Sequence, residues 1–189
     1  MITTKRLQTL IILAFAPFLA IGQMTVDNQE SSLSIFGTST LHDWEIEAEN
    51  VKGTASINTG DELGVSSLSF SVIVEGLESG KGAMNDNTYE ALEQEDHPTI
   101  NYKLKRVLSS KSTGPNSYVL NTEGSLSIAG KTKDIVMAVT AILDGNTVKF
   151  SGNYDMKMTD FNIDPPTAVW GTIKTGDEIK IEYSINYSN

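Results

Sequence analysis

"DIVMAVTAIL", Asp134 to Leu143, places Ile135, Met137, Val139, Ala141 and Leu143 at every second position. A repeat of two is that of a β-strand, whose successive side chains point to opposite faces. The same alternation returns along the chain. "IKIEYSINY" sets Ile179, Ile181, Tyr183, Ile185 and Tyr187 against Lys180, Glu182, Ser184 and Asn186. "LSFSVIV" gives Leu68, Phe70, Val72 and Val74, and "INYKLK" gives Ile100, Tyr102 and Leu104. "WEIEAE" gives Trp44, Ile46 and Ala48 against three glutamates. Each is expected to be a strand with one dry and one wet face. Turn-forming runs separate them: "NTGDELG" from Asn58, "SSKSTGPNS" from Ser109, "AGK" from Ala129, "DGN" from Asp144 and "KTGDE" from Lys174.

One segment breaks the rhythm. In "MNDNTYEALEQEDHP", Asn87 precedes Glu90 by three residues, a capping-box spacing, and Pro98 follows the helix formers. A single short helix is expected over about Asn87 to Gln94. Roughly eight strands with one helix predict an all-β sandwich or closed barrel, and the sustained alternation favours the barrel. Large side chains at dry positions, among them Trp44, Phe70, Tyr102, Phe150, Tyr154, Met156, Met158 and Trp170, weigh towards a filled interior. An eight-stranded barrel also has room for one small apolar guest.

The first 22 residues are expected to be a secretory signal peptide. Lys5 and Arg6 precede the apolar run Leu7 to Leu19, and Ala20 and Gly22 are small residues of the kind a signal peptidase reads. This predicts a periplasmic or secreted domain over residues 23–189. The chain has no cysteine, so its core must hold it without disulfides. Without Lys5 and Arg6, 12 basic residues face 24 acidic ones, a formal charge of −12. So acidic a domain lacks the basic footprint that nucleic acid or an anionic membrane requires.

Catalytic and metal chemistry find little support. In "STLHDW", Ser39 to Trp44, an extended backbone would send His42 and Asp43 to opposite faces, so they would not form an acid–base couple. His42 is then expected at a rim or turn beside Trp44. His97, before Pro98, is expected to end the helix. These two are the only histidines, too few for a metal site without cysteine. No Gly-x-Ser-x-Gly elbow occurs, and "AGKTK" lacks the spacing of a phosphate loop, leaving Lys131 and Lys133 as solvated turn lysines. No catalytic residue, metal or cofactor is expected. Met84, Met137, Met156 and Met158 are soft side chains suited to a channel for a flexible chain, but on the residues alone an irregular core is the favoured reading.

Three blocks, "LHDW…VKGTASI", "MNDNTYEALEQEDHPTINYKL" and "TEGSLSIAGKTKDIVMAVTA", with the tail "MKMTDFNIDPPTAVWGTIKTGDEIKI", resemble the YceI-like, polyisoprenoid-binding family in order and spacing. Gly124, Leu126, Gly130 and Thr132 fall on its strand–turn–strand signature, while the opening "FGTSTLHDW" differs from the family's commoner opening. The resemblance implies an extended, lipocalin-like antiparallel barrel with a helix at its mouth and an apolar channel for an isoprenoid or quinone-type chain. It implies a lining that includes Trp44, Ile46, Phe70, Val72, Met84, Leu92, Ile100, Tyr102, Leu126, Met137, Val139, Phe150 and Trp170. Transient membrane contact and a homodimer are compatible with that role. The rival expectation is a filled barrel serving as a protein-interaction module, and an enzyme acting on a small substrate ranks behind both.

Overall fold

The alternating rows become the inner wall of a closed barrel. In the computed structural model the described residues are 23–58 and 63–189, so the expected signal peptide and most of the "NTGDELG" turn lie outside them. The strands are β1 (Gln23–Ser39), β2 (Trp44–Ala48), β3 (Val51–Asn58), β4 (Gly64–Ile73), β5 (Leu77–Glu78), β6 (Thr99–Gly114), β7 (Ser117–Ile128), β8 (Lys131–Asp144), β9 (Thr147–Lys157), β10 (Thr167–Ala168) and β11 (Ile173–Ser188). Among the described residues there is one α-helix, α1 (Gly82–Ala91), between β5 and β6. Eight strands, in the order β11-β9-β8-β7-β6-β4-β3-β1, close antiparallel through β1 and β11. The short β2, β5 and β10 extend the wall at one end.

Inward rows supply the core. Leu120, Val139, Ala141, Val148, Phe150, Ile185 and Tyr187 pack together towards one end, and Leu126, Ile128, Ile135, Met156, Met158 and Phe161 towards the other. Burying each such side chain contributes about 1.5–3 kcal/mol, and no disulfide adds to it. The β7–β8 hairpin turns at Ala129 and Gly130, with φ of 43° and 71°. Two residues of positive φ match the twist of adjoining strands. A side chain on Gly130 would also meet the His97 ring, its Cβ 2.6 Å from Nε2.

Several sequence expectations are corrected. The helix begins at Gly82, not Asn87, and carries no side-chain cap. Its start is fixed by tertiary bonds instead. Asn85 is buried, accepts from the Ser79 backbone N–H (2.9 Å) and hydroxyl (2.6 Å), and donates to Glu78 (2.7 Å). That amide holds the Glu78 carboxyl below the usual carboxylate range. The helix ends at Ala91, so His97 lies beyond it, 3.6 Å from the Glu93 carboxylate.

"SSKSTG" is not a turn but the exposed end of β6, and only Pro115 and Asn116 turn the chain. "KTGDE" lies inside β11. There β1 advances from Gly37 to Ser39 while β11 runs from Ile179 to Thr175, so the intervening residues bulge. The bulge directs the Asp177 carboxylate to the Thr159 backbone N–H (3.0 Å) and hydroxyl (2.8 Å). Trp170 is not at a dry position. Val169, Trp170 and Gly171 all have positive φ, so the side chains no longer alternate, and Trp170 is 104% exposed.

Candidate functional site

The barrel is hollow. Its lumen is a cavity of about 500 Å³, within the range of small-molecule sites. Large inward residues therefore do not fill it, contrary to the weight that patterning gave them.

The reason lies in four glycines on the inner wall. Trp44 stands across from Gly37 on the neighbouring strand, and a Cβ on Gly37 would fall within the indole. Tyr102 lies over Gly124, and Tyr183 over its ladder partner Gly152, where a Cβ would be 2.7 Å from the Tyr183 oxygen. Tyr187 reaches Gly53, whose Cβ would be 2.8 Å from the phenol oxygen. Each missing Cβ lets a ring lie against the sheet instead of projecting into the lumen. The rings are pinned at their polar ends. The Trp44 indole N–H donates to the Thr38 carbonyl at 2.9 Å, and the Tyr187 phenol donates to the Ser69 carbonyl at 3.0 Å.

Of the residues expected to line a channel, Trp44, Ile46, Phe70, Val72, Met84 and Leu92 face this lumen. So do Ile100, Tyr102, Leu126, Met137, Val139 and Phe150. Trp170 does not. Sequence reasoning left out Leu33 and Ile35 of β1, whose alternation in "LSIFG" was a usable signal. It also left out Thr122, which sits on an otherwise apolar inward row and gave no hydrophobic cue.

At one end Met84, Thr88 and Ala91 of α1, with Leu92 just after it, border the cavity, facing the β1–β2 turn and the segment before β11. The Tyr89 phenol ties the helix down by donating to the carbonyls of Glu75 and Leu77, each at 3.0 Å. Towards the other end the β4–β6 ladder stops at Ser69 and Lys103. Val65 and Leu68 on one side of this unzipped stretch, and Leu104 and Val107 on the other, also line the lumen.

The segment around His42 is a turn and not an extended strand, which corrects the premise of opposite faces. The Ser39 backbone N–H and hydroxyl both donate to the His42 carbonyl, at 3.1 and 2.7 Å. His42 Nδ1 is 2.7 Å from the Asp43 backbone carbonyl, so its bond is to the main chain and not to the carboxylate. Lys133 pairs with Asp160 at 2.9 Å and lies over the Phe161 ring instead of standing free in solvent. Among the described residues, no three His, Asp or Glu side chains gather as a metal would require.

A family model described as the YceI-like domain matches residues 24–187. No curated relative matches the chain. Among solved structures, BcnA of Burkholderia cenocepacia is similar at 20% identity and a TM-score of 0.68, over 85% of this chain and 98% of that one. A polyisoprenoid-binding domain of Saccharophagus degradans, implicated in plant cell wall breakdown, is similar at 11% identity and a TM-score of 0.67, over 87% and 97% of the two chains. The YCEI protein of Campylobacter jejuni is similar at 17% identity and a TM-score of 0.52, over 72% and 81%.

Proposed function

Since the chain belongs to the YceI-like family, we propose that it is a binding protein, not an enzyme, and carries a long apolar amphiphile of isoprenoid or quinone type inside the barrel. The observation that carries this reading is the continuous lumen walled by flattened rings and aliphatic side chains. The polyisoprenoid-binding neighbour has the same architecture. A filled interaction module needs an occupied interior, and nothing here favours it. Binding is driven by desolvation. Each buried methylene contributes about 0.8 kcal/mol, so an isoprene unit contributes on the order of 3 kcal/mol before ordering costs.

The reading includes a periplasmic or secreted location, from the signal-like leader. It also includes transient contact with a membrane at the helix end of the lumen. There the Thr40 backbone N–H donates to the Lys174 carbonyl at 3.0 Å, bringing the β1–β2 turn beside the segment after β10. These two segments expose Leu41, Val169 and Trp170, side chains suited to an interfacial layer. The acidic chain favours neutral over anionic lipid.

Mass spectrometry of an organic extract of protein purified without detergent tests the proposal. The expected result is about one equivalent of an apolar chain compound, or uptake of an added one by material that elutes empty. Protein that carries none and takes up none overturns it.

A further inference from the structure

We infer that the lumen holds, at mid-depth, a subsite for a neutral acceptor oxygen on the guest, of ketone or quinone carbonyl type, with the Tyr183 phenol as its hydrogen-bond donor. The inference rests on the lumen being a ligand site. It arises from the hydrogen-bond partners of hydroxyls that face inward.

Tyr102 on β6, Thr122 on β7, Met137 on β8 and Tyr183 on β11 all line the cavity. The Thr122 hydroxyl donates to the Met137 carbonyl at 3.2 Å. That uses its single proton. Tyr187 gives its proton to the Ser69 carbonyl. These two hydroxyls donate to oxygen. Tyr183 donates instead to the Met137 thioether, 3.4 Å away.

Sulfur of this kind is a weak acceptor. A strong donor facing an apolar cavity with so weak a partner leaves most of its hydrogen-bond energy unrealised. A carbonyl oxygen entering the lumen would take the proton from sulfur. The group is pre-positioned, because the ring rests on Gly152 and cannot swing through the wall. It also stays a donor across the physiological range, since burial, reinforced by the nearby Tyr102 phenol, pushes Tyr183 well above the ordinary phenol range.

The guest oxygen at this depth must be uncharged. Among the described residues, the lining side chains that carry formal charge or an imidazole are Lys81 and His42, both at the helix end of the lumen. A carboxylate or phosphate at mid-depth would be buried without a counter-ion.

The test compares octadecan-9-one with octadecane, each competing against a bound fluorescent apolar probe on delipidated full-length domain, wild type and Tyr183→Phe. The expected result is that Tyr183→Phe lowers the ketone-to-alkane affinity ratio about fivefold, the worth of one neutral hydrogen bond. Met137→Leu, which removes the competing sulfur, is expected to raise that ratio. The carbonyl stretch of the bound ketone should shift on Tyr183→Phe, a signature that loss of packing alone would not give. A ratio equal in wild type and Tyr183→Phe, with both compounds bound, overturns the subsite and leaves the carrier reading intact. Failure of both compounds to bind wild type overturns both.

Discussion

Gly53→Ala is expected to destabilise the barrel by about 3 kcal/mol, whereas Gly124→Ala should leave it folded but obstructed. The difference lies in what the new methyl meets. At Gly53 it would stand 2.5 Å from the Ser69 carbonyl oxygen, which is backbone, and 3.0 Å from Val26. That carbonyl belongs to β4, which is laddered to β3 on one side and to β6 on the other, so it cannot retreat alone. The same methyl displaces the Tyr187 phenol that donates to it. A loss of about 3 kcal/mol is a large share of the roughly 5–15 kcal/mol that holds a domain folded.

At Gly124 the methyl would meet the far end of the Tyr102 side chain. The ring can tip away, and the space it tips into is the lumen. The expected loss of stability is about 1 kcal/mol. The expected loss of affinity is on the order of a hundredfold if one isoprene unit is excluded. Denaturant midpoints and extracted lipid per mole separate the two. A Gly124→Ala protein with full lipid load would mean that the glycines do not keep the lumen open.

Between neutral pH and about pH 10 the buried phenols leave stability level, and above about pH 10 it is expected to fall steeply. Burial, reinforced by the neighbouring Tyr102 phenol, pushes the Tyr183 and Tyr187 phenols well above the 10.0 of a free tyrosine. Below pH 10 both states hold these protons, and the contribution does not change with pH. Above it the unfolded chain releases them while the native barrel retains them. The unfolded state then binds fewer protons, so unfolding becomes easier as pH rises. Each retained proton gives a slope of about 1.4 kcal/mol per pH unit, so the two together give about 2.7. Urea midpoints between pH 8 and 12 measure it. Tyr183→Phe should remove about 1.4 kcal/mol per pH unit of the slope, which separates this effect from deprotonation of surface lysines. A slope unchanged in that variant would mean that the phenols are not the cause.

The barrel was legible because its evidence is local. An alternating row such as Ile135, Met137 and Val139 faces inward wherever its strand sits, so the face could be read before the partner was known. What failed depended on partners. The helix start turned on Asn85 reaching back to Ser79 and Glu78, while the lettering of Asn87 and Glu90 offered a cap that the chain does not use. "KTGDE" carries turn residues, but the β1 ladder converts them into a bulge. Trp170 kept the spacing of a dry residue until three positive φ angles broke the alternation. The hollow interior was hidden for the same reason. Gly124 and Gly152 share the inward parity of their strands, a visible clue, yet their meaning comes from Tyr102 lying diagonally across from the one and Tyr183 directly opposite the other. Only the register supplies that pairing.

Closure of the barrel between β1 and β11 has a kinetic consequence. Most neighbouring strands meet across short connections, as β7 meets β8 across Ala129 and Gly130. The last seam brings Ile35 to Ile181, and Thr25 to Ser188, across almost the whole described chain. The entropy of closing so long a loop is lost before the seam returns any contact energy, which places folding among the slower, topology-limited cases. Until β11 docks, the nascent sheet has two raw edges and an uncovered apolar face. Such a species is prone to pair with a second copy of itself. Refolding yield should therefore fall as protein concentration rises, even where the finished barrel is fully soluble.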